Sequence, residues 1–266
     1  EVVGIDIGSS SIKVVQLSQQ EDYIALKTYG ELLLGPYMDQ SLGASVQLTP
    51  EKRMEALVDV VRESEVRVSS GVLALPLASS FMTVIDVEVN PGEELDSKIR
   101  VEARKYIPVP LKDVSLEWSE LPVLGSDPAT KSSTTRHVLI AAVQNEAYAA
   151  MNKLMGAINL TSQPTEIEVF CTQRAVATDD VATVAIIDLG AQFSKLYIAH
   201  QGTVRKLHRV VAGGSAVTKR LASTRSLPYS EAEQLKRTVD AAHPAAADIK
   251  QAMTDVFTRP LQEFKR

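Results

Sequence analysis

From residue 2 the chain runs in short apolar stretches rich in β-branched side chains. Val2, Val3, Ile5 and Ile7 form one arm, a Gly8–Ser11 cluster follows, and Ile12 to Leu17 form the next. Run, small-residue turn and second run predict strand, turn, strand. A third β-rich run covers Ile24 to Tyr29. Thr49-Pro50 then predicts a helix start, threonine capping and proline in the first turn, with Met54, Leu57, Val58 and Val61 at helical spacing. Two strand-like stretches, "GVLALPL" and "FMTVIDVEV", complete a first α/β unit.

The middle of the chain has a different rhythm. Asn90 and Glu93 fit a capping box, so a helix is expected from there to about Tyr106, stopped by Pro108 and Pro110. Strands are expected over 114–121 and 137–143, flanking a polar loop at 125–136, then a helix over 145–156 and a strand over 165–170. The block 84–162 thus reads as a small α+β insertion. Beyond it come "VATVAIIDLG", "FSKLYIAHQG" and "TVRKLHRVV", a helix after Gly213-Gly214, the helical "SEAEQLKRTV", and a last helical stretch from about Ala245.

The first turn carries more than a hairpin needs. Asp6 lies inside a strand, where aspartate is disfavoured, and Ser9, Ser10 and Ser11 stand together beside Gly8. Alone this is an ordinary turn with a solvated carboxylate. It has a counterpart, however: "IDIGSSSIKVVQL" at 5–17 matches "IDLGAQFSKLYIA" at 187–199, pairing Asp6 with Asp188, Gly8 with Gly190 and Lys13 with Lys195 at one constant offset. Each copy continues through a polar turn into a third β-rich run. Two such halves facing each other would bring two glycine turns and two aspartates to one cleft. Backbone N–H groups there can hold phosphate oxygens, and the carboxylates of Asp6 and Asp188 can orient a Mg²⁺ that keeps several waters. Lys13 can reach a phosphate, or lie solvated on its strand. Gly213-Gly214, opening a helix, can meet an anion or a ribose hydroxyl, or be a plain strand-to-helix turn.

Composition narrows the classes. At 266 residues, 45% apolar and 23% charged, the chain has the balance of a folded globular protein of one or two domains. A net charge of −5 argues against a general nucleic-acid surface. The single cysteine, Cys171, excludes an internal disulfide and reads as a small apolar residue, and the four histidines show no zinc-binding spacing. No apolar run reaches the length of a membrane span. The first strand starts at once after Glu1, as expected of a trimmed fragment.

The pair "DIGSSSIK" and "DLGAQFS" resembles the two phosphate motifs of the superfamily of actin, heat-shock chaperones and sugar kinases. The segment 95–121, "LDSKIRVEARKYIPVPLKDVSLEWSEL", is similar to the PilM family of type IV pilus assembly proteins, whose members carry a similar E-A-x-x-Y-I-P-x-P-L-x-x-V run. The likeness covers most of residues 1–240. It implies an α/β, actin-like (ribonuclease-H-like) duplicated fold with an inserted α+β subdomain shared with the cell-division protein FtsA. The expected division is 1–83, 84–162, 163–225 and a helical part at 226–266.

The same resemblance implies ATP and Mg²⁺ as cofactors. Phosphates would meet Gly8, Ser9, Ser10, Ser11, Lys13, Gly190 and Ala191, and the metal Asp6 and Asp188. Gly213, Gly214, Glu233 and Lys236 would serve the ribose and adenine side, although Glu233 and Lys236 also read as an exposed pair one helical turn apart. Glu168 in "PTEIEVF" stands where relatives keep a residue near the attacking water, so it and Asp188 are the catalytic candidates of what would be at most a slow ATPase. Alternation with Glu166 gives Glu168 a plainer reading as a solvated strand residue. The implied partner is the N-terminal cytoplasmic tail of PilN, held between the first subdomain and the insertion, with other pilus platform proteins beyond it. The implied place is the cytoplasmic side of the inner membrane, reached through those partners.

Two features depart from the family. Lys195 occupies a position where a small polar residue is common, and no late Gly-rich loop that would close over adenine is present. Two other readings stay open. A small-molecule kinase of the same superfamily would need a carboxylate base, for which no "DxGG" motif exists. A nucleotide-free scaffold, like the cytoplasmic domain of a type II secretion platform protein, is opposed by the intact Asp6, Gly8, Asp188 and Gly190.

Overall fold

The structure is a computed structural model and describes residues 1–122, 134–162, 166–176 and 183–264. β1 (Val2–Ile7), β2 (Ser11–Gln19) and β3 (Ile24–Leu33) form an antiparallel meander. The expected third strand therefore extends four residues past Tyr29. α1 (Pro50–Glu63) starts as its sequence predicts: Thr49 Oγ1 accepts the Lys52 N–H at 3.3 Å and proline opens the helix. Its buried stripe is centred on Ala56, Leu57 and Val60, which turns Val58 outward. β4 (Ser70–Leu75) returns parallel to β1, and a single 3₁₀ turn at Leu77–Ser79 leads into β5 (Ser80–Glu88).

The insertion is an antiparallel sheet backed by one helix. α2 (Leu95–Ala103) lies against β5, and β6 (Val114–Glu120) and β7 (Thr135–Gln144) complete the sheet in the order β5-β7-β6. Ile85, Val87, Ile99, Ala103, Val138 and Ile140 form its own core. The Asn90–Glu93 contact exists, with Glu93 Oε2 accepting the Asn90 N–H at 2.9 Å. It closes a turn rather than the helix, because Gly92 adopts φ +90°, outside the helical region, and α2 begins only at Leu95. The helix also ends at Ala103 rather than near Tyr106, in turns leading to Ile107, which Pro108 disfavours as helical. Of the expected polar loop at 125–136, residues 125–133 lie outside the described residues, and Thr135 and Arg136 belong to β7.

α3 (Asn145–Ala157) follows, then the short β8 (Thr161–Ser162) and β9 (Glu166–Ile167). Both short strands pair parallel with β4. The buried face of α3, Met151, Leu154 and Met155, joins the core of the first sheet. Residues 145–162 are thus packed with the first lobe, whereas a boundary at 162 would assign them to the insertion. The strand expected over 165–170 lasts only to Ile167. Glu168 opens α4 (Glu168–Val176) instead, and Thr165 lies outside the described residues.

The second repeat rebuilds the meander with β10 (Thr183–Leu189), β11 (Ser194–His200) and β12 (Thr203–Val210). The registers coincide: Asp6 lies opposite Lys13 as Asp188 lies opposite Lys195. α5 (Gly214–Arg225), α6 (Tyr229–Thr238) and α7 (Ala246–Glu263) pack on one another around Val217, Leu221, Ala232 and Ala252. Tyr197 and Val204 of the second sheet join the core of the first lobe.

Candidate functional site

Each glycine turn is closed in the same way. The Gly8 N–H donates to the Ser11 carbonyl at 3.0 Å, and the Gly190 N–H donates to the Phe193 carbonyl at 3.0 Å. An added Cβ would stand 3.1 Å from Ser11 O at Gly8 and 2.8 Å from Phe193 O at Gly190, so a side chain is a tight fit at Gly8 and forces a shift at Gly190. The first turn is braced from behind: the Leu34 N–H donates to Ser10 O and the Val46 N–H to Ser9 O.

The turns open onto one cavity of about 820 Å³, a size suited to a small organic ligand. Asp6, Gly8, Ser9, Ser10, Ser11 and Lys13 line it from the first repeat, and Asp188, Gly190, Ala191 and Lys195 from the second. Glu168 lines it as well. The structure also places the Leu77–Ser79 turn, Arg53 and Gln144 on the wall, none of which the sequence motifs single out. Phe193 joins them, with the Arg209 guanidinium 4.8 Å above its ring.

Glu168 is tied to both lobes. Its Oε1 accepts the Leu77 N–H at 2.7 Å, and its Oε2 accepts from Lys195 Nζ at 2.7 Å. The same ammonium lies 2.8 Å from Asp188 Oδ2. Lys195 is 9% exposed, and burial alone would disfavour its charge. The Glu168 and Asp188 carboxylates outweigh that and hold its pKa above the usual 10.5. Asp6 has no such close partner: burial pushes its pKa up, Lys13 opposes this, and the negative charges of Glu168 and Asp188 add to the rise. Glu168 is thus neither a strand residue nor freely solvated. The buried Lys195 is the residue that the motif comparison undervalues, since its match to Lys13 in register is no match in environment.

Gly213 and Gly214 sit behind the second turn. The Gly214 N–H donates to Gly190 O at 3.0 Å and the Ser215 N–H to Ala191 O at 2.9 Å. Two of the free N–H groups at the start of α5 are therefore spent on docking that helix to the turn, which leaves them unavailable to an anion. A Cβ on Gly213 would come within 2.5 Å of both carbonyl oxygens, which explains the glycine.

Glu233 and Lys236 do not form the exposed pair expected of their spacing. Glu233 is buried and accepts from Thr218 Oγ1 at 2.5 Å, Lys236 Nζ at 2.7 Å and Arg237 Nε at 2.7 Å. Burial works against its charge, but these hydrogen bonds prevail and keep its pKa below the usual 4.5. Lys236 Nζ also donates to Gly214 O at 3.2 Å. Gly43, at φ +78°, packs so closely on Glu233 that a Cβ would meet Oε1 at 2.7 Å. Glu233 and Lys236 therefore knot the α5 start to a loop of the first lobe, outside the cavity between the turns.

Among the described residues no group of three or more His, Cys, Asp or Glu side chains is placed to hold a metal ion. A Mg²⁺ ligated by Asp188 Oδ2, at the usual ~2.1 Å, would lie within about 5 Å of the Lys195 ammonium. Burial and the neighbouring Glu166 push the Cys171 thiol up to about 11, which disfavours its thiolate.

The family model described as type IV pilus assembly protein PilM matches residues 4–259. The chain belongs to the PilM family. Among solved structures it is similar to a PilM–PilN type IV pilus biogenesis complex, with 23% identity and a TM-score of 0.76 over 100% of this chain and 76% of that one. It is also similar to the ethanolamine utilization protein EutJ from Carboxydothermus hydrogenoformans, with 14% identity, a TM-score of 0.56, and 99% and 69% coverage. MreB 5 of Spiroplasma citri, bound to AMPPNP, matches with 11% identity and a TM-score of 0.50, over 99% of this chain and 77% of that one. These likenesses establish the actin-like fold for this PilM-family chain, and with it the duplicated α/β architecture read from the repeat.

Proposed function

We propose that this PilM-family protein binds ATP in the cleft between its two Asp-x-Gly turns, and that nucleotide biases its grip on the N-terminal cytoplasmic tail of PilN. The observation that carries the nucleotide half is the pair of identically closed glycine turns lining one cavity. Backbone N–H groups at such turns bind anions without a dedicated cationic side chain, and Lys13 stands at the rim to add one. The same fold holds a nucleotide analogue in the neighbour MreB 5. A Mg²⁺ held on Asp6 and Asp188 would share Asp188 with the Lys195 ammonium.

The partner half is supported by the likeness to the PilM–PilN complex and by the surface of the insertion. Ile107 is buried in the insertion core with Val109 and Leu111 against it, while Val101 and Tyr106 turn outward. An extended peptide can lay apolar side chains on such exposed groups and pair its backbone with nearby edges. The protein would act as the actin-like component of the pilus assembly platform, held at the cytoplasmic face of the inner membrane by its partners. Among the described residues no helix is long and apolar enough to cross a membrane.

Isothermal titration of the full chain with ATP, and separately with a synthetic PilN tail, tests both halves. Saturable binding of each is expected, with ATP changing the peptide affinity by roughly fivefold or more, the lower end of ordinary allosteric coupling. Absence of ATP binding removes the nucleotide half, and absence of peptide binding removes the partner half.

A further inference from the structure

The two repeats place a lysine at the same register, yet only one lysine is buried among carboxylates. Lys13 has 53% of its side chain exposed and its nearest ion pair is Glu31 at 3.8 Å. Lys195 has 11% exposed and bridges Glu168 and Asp188 at 2.7 and 2.8 Å. The bridge lines the cavity between the turns, as Asp6 does. Three carboxylates there, Asp6, Glu168 and Asp188, would by themselves repel a polyphosphate and call for a mobile cation. An ammonium has three donors, of which two are committed to Glu168 and Asp188. The third remains for an incoming phosphate oxygen.

We propose that Lys195 is a tethered cation that takes the place of a divalent metal at this cleft, so that the protein accepts ATP free of magnesium nearly as well as the magnesium complex. The inference rests on the proposed ATP binding and concerns the form in which ATP is bound. A positive charge fixed by the chain at the two carboxylates costs no metal recruitment, and it opposes a second, doubly charged cation within about 5 Å. The cofactor selected is a nucleoside triphosphate whose countercharge the protein supplies in part. Lys195→Ser removes the ammonium, leaves Glu168 and Asp188 without their shared cation and creates a need for the metal. Lys195→Arg keeps the charge and serves as the control for folding and for charge without the original geometry.

The experiment is a fluorescent-ATP titration of the full chain in excess Mg²⁺ and in EDTA, paired with Mn²⁺ binding followed by electron paramagnetic resonance in the presence of ATP. For the unmodified protein, the dissociation constant should change less than threefold on removing the metal, and Mn²⁺ should bind no more tightly to the protein–ATP complex than to ATP alone. For Lys195→Ser, EDTA should weaken ATP binding at least tenfold, and Mn²⁺ should bind at least tenfold more tightly to the protein–ATP complex than to ATP alone. A tenfold or larger loss for the unmodified protein in EDTA overturns the proposal even if the serine variant fails to fold. ATP binding that is absent in both media overturns the nucleotide reading itself, a result distinct from binding that depends on metal.

Discussion

The two Asp-x-Gly hairpins share register, turn closure and glycine position, but they differ in what surrounds their lysines. The first hairpin belongs to a sheet in which β1 pairs with both β2 and β4, and its half-exposed Lys13 forms a loose pair with Glu31. The second belongs to a three-stranded sheet, and its Lys195 is covered by Glu168 from the start of α4. One repeat presents a half-exposed cation to the cavity, the other a largely buried one held by two carboxylates. A duplicated backbone thus yields two chemically different halves, because α4, inserted between the repeats, sets Glu168 on Lys195, whereas Lys13 has the looser Glu31 pair.

Removing the carboxylate that covers Lys195 should break this difference most strongly. Glu168→Ala deprives a largely buried ammonium and the Leu77 N–H of their acceptor, so a loss of about 3 kcal/mol in urea unfolding is expected. The matching change at the first repeat, Glu31→Ala, should cost no more than about 0.5 kcal/mol, because the Lys13 pair is exposed and loose. Equal costs would mean that the two lysines are equivalent after all.

Next in size are the glycine turns. A methyl group at Gly190 meets a backbone oxygen 0.3 Å sooner than one at Gly8, where the approaches are 2.8 and 3.1 Å. Backbone oxygens cannot swing aside as a flexible side chain does. Gly190→Ala should therefore destabilise by about 1–3 kcal/mol and Gly8→Ala by less, read as thermal denaturation midpoints. An alanine at Gly8 that costs more than one at Gly190 would reverse the comparison.

The smallest effect concerns Asp6, which lacks the close ammonium that Asp188 has. Its pKa is raised by burial above its unfolded value near 3.8. Between those two values the folded state holds the extra proton, so stability falls as pH rises through the window, and above it Asp6 costs stability. Asp6→Asn should then gain less than about 1 kcal/mol at neutral pH and flatten the dependence on the acid side. Urea unfolding at pH 3.5 and 7 measures both, and a loss at neutral pH would show that Asp6 is compensated as Asp188 is.

Much of this architecture was legible from local chemistry. The repeat exposed the duplication because its register is fixed by alternating β-branched residues, and Thr49-Pro50 marked α1 to the residue. Elements whose ends depend on tertiary contact were less so. The Asn90–Glu93 pair looked like a helix cap, and only the positive φ of Gly92 keeps it in a turn. Glu168 alternates with Glu166 as a strand residue would, but pairing with β4 stops at Ile167 and the chain turns into α4.

The site divided along the same line. Residues of the two turns converge because the repeat demands it. The spacing of Glu233 and Lys236 suggested a solvated pair, since sequence alone does not reveal that Gly43 of the distant first lobe packs over Glu233. Lys195 carried a signal in its departure from the family pattern, but its partner Glu168 is 27 residues away in sequence, and burial decides its role.

Hydrogen–deuterium exchange of the full chain with and without saturating ATP tests the two-sided cleft most directly. Protection is expected in peptides covering both 6–13 and 188–195, with the same ATP dependence at each. Protection at only one turn, or at neither, would contradict a nucleotide held between the repeats.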